Sequence, residues 1–182
     1  TILIVAGQID ISVGSQLVVS GVVAGLTARA GWPMPVVALT TLAAGAAFGA
    51  LNGFLVTVAG LPAIIATLAT LVLGRNALII ATGGDWIQNL PPSFQWFGLP
   101  QAVAQPLYIL VALVVFLAFV WGLRHLSIGR SVYAVGCDHE AARRIGLRPQ
   151  TVVFGSFVLV GAHTAAAAVL NFTRYPTIET NA

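Results

Sequence analysis

The sequence predicts an all-α, polytopic membrane fold, and three observations predict it. Apolar residues make up 58% of the 182 residues and charged residues only 7%, against roughly a quarter charged in a soluble domain. Apolar windows near 20 residues, the length that crosses a hydrocarbon core at about 1.5 Å per residue, recur along the chain. The turns between them are built on proline and glycine. We expect about five full spans and one truncated span.

The opening run TILIVAG is apolar, too short to cross a bilayer and without a basic leader, so it is read as the end of a span. Residues 11–28 form the first window and residues 35–59 the second, with Pro33 and Pro35 between them. Gly60-Leu61-Pro62 then makes a tight turn into the window 61–82, with proline where its missing N–H does no harm. Residues 83–106 hold Pro91, Pro92, Pro100 and Pro106 with Trp86, Phe94, Trp96 and Phe97 and a single charge. Such a loop is expected to fold onto the membrane interface or to receive a partner. Windows 107–123 and 151–172 complete the spans around a polar segment, 124–150. The last residues stop without a terminator. Residues 1–182 are thus expected to be a partial transmembrane domain of a longer protein.

Charge sets the orientation. There is no lysine, and Arg124, Arg130, Arg143, Arg144 and Arg148 are five of the eight arginines. The positive-inside bias places 124–150 in the cytoplasm and 83–106 outside, with the Gly60 turn inside and the Trp32 turn outside. Trp32, Trp86, Trp96 and Trp121 then fall near interfaces. A basic pI of about 9.8 resting on these few arginines points to membrane orientation rather than nucleic-acid binding. Cys137 is the single cysteine, so the fold holds by packing. Cys137 and His139 are two isolated potential ligands, and neither metal nor cofactor is expected.

Gly45, Gly49 and Gly53 recur every four residues with Thr41 in the same row, a surface on which another helix approaches closely. Gly21 and Gly25 offer a second.

Polar side chains stand out against this background. Gln8, Asp10, Ser12, Ser15 and Gln16 interrupt an apolar stretch together with Gly14. A lone acid in a membrane costs about 2.5–3.5 kcal/mol and needs a partner. Asp10 or Ser12 is placed to cap the following helix; alternatively a broken helix presents its N-terminus and hydroxyls to a polar solute. Asn52 lies within the glycine-rich helix. Arg75 and Asn76 sit near the outer end of their span, where Arg75 either snorkels or lines a water-filled path. His163, among alanines, is expected to hydrogen-bond to a neighbouring helix.

Within 124–150, residues 138–147 are predicted to form a short helix. Asp138 is a candidate N-cap and Gly146 a candidate C-terminal stop. Ala141, Ala142 and Ile145 share one face and alternate with Asp138, His139, Glu140, Arg143 and Arg144. A helix of this kind either lies on the membrane surface or docks on a partner.

Glu140-Ala141-Ala142, three residues and Gly146 match the coupling-loop pattern Glu-Ala-Ala-x-x-x-Gly, and here the sequence resembles the ABC importer permeases. Gly129-Arg130-Ser131-Val132-Tyr133-Ala134-Val135-Gly136 before that pattern resembles the ribose/xylose/rhamnose type in particular. So do Ile9-Asp10-Ile11-Ser12-Val13-Gly14-Ser15, Leu51-Asn52-Gly53 and Pro62-Ala63-Ile64-Ile65-Ala66-Thr67-Leu68.

The resemblance implies an all-helical subunit of the bacterial cytoplasmic membrane with about ten spans. Such a subunit works as a homo- or heterodimer with a second permease, with cytoplasmic ABC ATPases and with an external sugar-binding protein. Carried over, Glu140, Ala141, Ala142 and Gly146 belong to the ATPase-coupling helix, with Asp138 and Arg143 as further candidates on it, and Asp10, Ser12, Gly14 and Ser15 belong to the translocation path, where Asn52, Arg75 and Asn76 are further candidates. Similarity at residues 31–35 and 94–98 leans toward rhamnose-like sugars or autoinducer-2. Without lysine there is no Gly-Lys-Ser/Thr phosphate loop, so nucleotide is expected on another chain. A secondary carrier or channel, using Asp10, Arg75 and His163, is the competing class, and a non-transporting scaffold the third.

Overall fold

The computed structural model describes residues 2–180. Eight α-helices follow in order among these residues: α1 (Ile2–Val5), α2 (Val13–Arg29), α3 (Met34–Thr57), α4 (Ala63–Thr82), α5 (Gln101–His125), α6 (Ser127–Cys137), α7 (His139–Arg144) and α8 (Pro149–Phe172). Prolines set the starts of the long ones. Pro33, Pro62 and Pro100 occupy the N-cap positions of α3, α4 and α5, and Pro149 opens α8. Proline's fixed φ suits these positions, and its lack of an N–H removes a group that would otherwise be orphaned.

Four helices, α3, α4, α5 and α8, are long and apolar enough to cross a membrane. α2 has 17 residues, about 25 Å of rise. It starts after the break at residues 6–12 that separates it from α1, and it runs between α3, α4 and α8. The predicted spans hold to within two residues at most ends. The exception is α5, predicted from 107 but begun at Gln101 and carried through Pro106. Residues 101–106 therefore belong to a span rather than to the loop.

The tightest contact joins α3 to α8. A Cβ at Gly45 would strike the Gly161 carbonyl at 2.5 Å, and one at Gly49 would strike the Phe157 carbonyl. Gly161 faces Gly45 and Gly49 in return. Without side chains the two backbones touch, which maximises dispersion where water expulsion drives nothing. Gly21 and Gly25 instead make room for side chains, Phe172 lying on Gly21 and Ile178 with Ile87 on Gly25.

Two apolar clusters mark the two ends of the bundle. At one end Ala28, Val37, Leu78, Ile87, Phe94, Val169 and Ile178 pack together. There the loop between α4 and α5 lies on residues 173–180: Ile87 and Ile178 exchange backbone hydrogen bonds at 3.0 Å, and Trp96 N–H donates to the Thr173 carbonyl at 2.9 Å. The loop is thus folded down, with Trp96 and Phe97 packed on Tyr108. At the other end Leu3, Val135, Ala142, Val153 and Phe157 make the second cluster. α1, α6, α7 and the start of α8 meet there, so the arginine-rich segment and the polar break share one end.

Candidate functional site

The polar break and the short helix α7 form the candidate site. In the break, the Asp10 carboxylate accepts three hydrogen bonds: from Ser12 N–H at 2.8 Å, from Ser12 Oγ at 2.6 Å and from Gln16 Nε2 at 3.0 Å. Ser12 Oγ in turn accepts from Gln16 Nε2 at 2.8 Å and from Asn52 Nδ2 at 2.7 Å. One hydroxyl thereby uses its donor and both lone pairs. Ser12, Gln16 and Asn52 are fully buried, and Asp10 is half-buried. Thr67 Oγ1 of α4 accepts from Ile11 N–H at 3.2 Å. The break is therefore tied to α3 and α4 as well as to α2.

This geometry revises the capping expectation. Ser12 holds the N-cap position of α2 but makes no side-chain capping bond. Its hydroxyl is consumed by the network, and Asp10 bonds the N–H of Ser12 itself. The network also lies inside the bundle. Asn52 precedes the end of α3 by five residues and Thr67 follows the start of α4 by four, which sets the network about one turn or more in from the helix ends. Gln16 Oε1 and Asn52 Oδ1 are buried without a hydrogen-bond partner among the described residues.

The remaining predicted path residues divide. Ser15 is buried, donates to the Ser12 carbonyl at 3.0 Å and borders Gly74. Gly14 faces open space, so its place is the periphery of the cluster. Arg75 and Asn76 are exposed on α4, eight residues beyond Thr67 and so about 12 Å along the axis. Asn76 Nδ2 donates to the Val72 carbonyl of its own helix at 2.8 Å. His163 packs its ring edgewise on Phe119 at 4.9 Å, so ring packing takes the place of the hydrogen bond expected of it.

α7 is shorter than the predicted 138–147, because caps close it at both ends. Asp138 Oδ1 accepts from Glu140 N–H at 2.8 Å and Ala141 N–H at 3.1 Å. At the other end Gly146 has φ +85°, a conformation open to glycine without strain. Gly146 N–H donates to the Arg143 carbonyl and Leu147 N–H to the Ala142 carbonyl, the paired bonds of a Schellman stop. Leu147 packs on the cluster that buries Ala142.

Of the predicted face only Ala142 turns inward, at 2% exposure, whereas Ile145 is 73% exposed and Ala141, Glu140, Arg143 and Gly146 are exposed as well. A six-residue helix exposes one side once the other is anchored. Beside it a groove of about 410 Å³ runs between His139, Glu140, Arg143, Leu147 and Gln150.

Sequence reasoning missed α6, although Gly129, Val132 and Val135 carry the spacing of one buried helical face. α6 folds back on α5, where a Cβ at Gly129 would meet the Gly122 carbonyl at 2.5 Å, and it presses Gly136 on the Val5 carbonyl at the end of α1. α7, α6, α1 and the break are thus contiguous.

The chain matches, over residues 1–182, the family described as branched-chain amino acid transport system / permease component, and it belongs to that family of transport permeases. With its long apolar helices it is a multi-pass membrane protein. It is 36% identical over 172 residues to the autoinducer 2 import system permease protein LsrC of Escherichia coli O9:H4 (strain HS), covering 93% of this chain and 50% of that protein. Its identity to LsrC of Salmonella paratyphi B is 35% over 170 residues, covering 93% of this chain and 49% of that protein. The chain spans about half the length of these curated relatives. No solved structure matches it.

Proposed function

We propose that this chain is part of the membrane subunit of an ATP-driven importer for a small sugar-like solute, with α7 as the element that seats on a cytoplasmic ATPase. The observation that carries the reading is α7 itself. It is capped at both ends and anchored by Ala142, it displays Glu140, Ala141 and Ile145 outward, and it belongs to the arginine-rich segment that the positive-inside bias places in the cytoplasm.

Movement of α7 on nucleotide binding would pass through α6 to α1, and from there to the break that holds Asp10, Ser12 and Asn52. Packed helices carry such shifts as small rigid displacements. Asp10, Ser12, Ser15 and Asn52 would shape the inner part of the solute path, with Arg75 and Asn76 nearer its outer end. The partners in this reading are ATPase subunits, an external solute-binding protein and a second permease subunit in the bacterial cytoplasmic membrane. Because the relatives above are named for autoinducer 2 import, that solute is favoured over rhamnose, ribose or xylose.

Uptake by reconstituted vesicles containing the intact permease, its ATPases and its binding protein tests the reading. ATP inside the binding-protein-free face should drive uptake, and collapse of ion gradients should leave it unchanged. Uptake that follows an ion gradient without ATP would establish the carrier class instead.

A further inference from the structure

The end of α6 lies backbone to backbone on the end of α1. A Cβ at Gly136 would fall on the Val5 carbonyl oxygen, and no other glycine among the described residues leaves less room. We propose that Gly136 is the positioning residue that passes movement of α7 to the polar break. This role rests on the transport reading above and assigns its transmission to one contact.

Hydrogen bonds tie each side of the contact to what it would move. On the α6 side, Asp138 N–H donates to the Ala134 carbonyl at 3.2 Å, while Asp138 Oδ1 accepts from Glu140 and Ala141 N–H. One residue thus joins the last turn of α6 to the first turn of α7. On the α1 side, Gly7 N–H donates to the Ile4 carbonyl at 3.0 Å and Gln8 N–H to the Leu3 carbonyl at 2.8 Å, with Gly7 at φ +74°. These paired bonds are a Schellman stop, and they set the direction in which the chain leaves α1 for Asp10. Leu3 packs in the same cluster as Val135 and Ala142, so α1, α6 and α7 share one apolar anchor.

Glycine matters here for what it removes. A side-chain contact absorbs a small displacement by changing rotamer, whereas a backbone pressed on a backbone has no such freedom and passes the displacement on. Gly129, at the other end of α6, is a comparison within the same helix. A Cβ there would meet the Gly122 carbonyl at 2.5 Å, so it too is packed as a glycine, but on α5 and away from α1.

The test is the amount of solute taken up per ATP hydrolysed by vesicles holding the intact permease, its ATPases and its binding protein, with autoinducer 2, rhamnose, ribose and xylose each offered. Gly136→Ala should retain its ATPase and hydrolyse ATP, while uptake per ATP falls by roughly tenfold. Gly129→Ala should melt at a lower temperature than wild type yet keep the wild-type ratio, which separates transmission from packing. Where Gly136→Ala does not fold, Gly7→Ala takes its place. A Cβ there meets the Gly136 carbonyl at an ordinary 3.7 Å, but the left-handed φ disfavours alanine and shifts the stop of α1. It should likewise lower the ratio with the ATPase bound. A wild-type ratio in folded Gly136→Ala, or in Gly7→Ala where that stands in, would overturn the proposal. So would an equal fall in Gly129→Ala. Absence of ATP-driven uptake of every one of these solutes in wild type would overturn the transport reading, and this role with it.

Discussion

Asn52 Nδ2 of α3 donates to Ser12 Oγ at 2.7 Å, and by that bond the start of α2 is fastened to a neighbouring helix as well as to its own Gln16. The pair is 40 residues apart in sequence. It makes the polar break a joint between helices.

Ser12→Ala removes the acceptor shared by Asn52 and Gln16. Gln16 keeps Asp10 at 3.0 Å, so the loss falls mainly on the buried Asn52 amide. An unsatisfied buried donor costs about 1–3 kcal/mol, and thermal unfolding of the purified protein should show a destabilisation of that order. A melting temperature equal to wild type would remove the network from the fold's support.

Asp10→Ala should reduce solute uptake more than it reduces insertion. The carboxylate organises Ser12 and Gln16 but is only half-buried, and its removal strands short-range bonds rather than apolar packing. Uptake per inserted molecule, normalised by surface or membrane quantification, measures this. Full uptake at full expression would take Asp10 out of the path.

Two glycines on α8 should respond oppositely to alanine. Gly161→Ala drives a methyl into the Gly45 carbonyl and the Gly49 backbone, and overpacking of this kind costs about 1–3 kcal/mol or more. Gly155→Ala enters open space and gains helix propensity, worth roughly 0.5–1 kcal/mol. Unfolding in increasing denaturing detergent should rank Gly155→Ala above wild type and Gly161→Ala below it.

Much of this was legible in the sequence because apolar length and proline position are local signals. The starts of α3, α4 and α8 lie within two residues of the predicted windows because Pro33, Pro62 and Pro149 fix them. α5 reads short because Pro106 resembles a breaker, yet it stands inside the helix as the sixth residue and forgoes one backbone hydrogen bond without ending it. The caps of α7, Asp138 and Gly146, were also legible. Which side of α7 turns inward was not: its apolar residues share a face by spacing, but the Leu147 stop anchors only Ala142. The Asp10–Ser12–Asn52 network likewise depends on a helix 40 residues away, and no local pattern reports it. The folding of residues 85–97 onto 173–180 is of the same long-range kind.

Cys137 is exposed at the end of α6, within the segment assigned to the cytoplasm. In intact cells a membrane-impermeant thiol reagent should leave it unlabelled, and inverted vesicles should label it. Labelling in intact cells would reverse the orientation and place α7 away from any ATPase.

If α7 docks on an ATPase through its outward side, Ile145 lies in the contact. At 73% exposure the side chain contributes little to the fold, so Ile145→Glu should insert and melt like wild type. At an interface the same change buries a charge without a partner. Co-purification of the ATPase with Ile145→Glu in the intact permease is the measurement. Most of the bound ATPase should be lost with the permease still folded; wild-type retention of the ATPase would rule out docking through this side of α7.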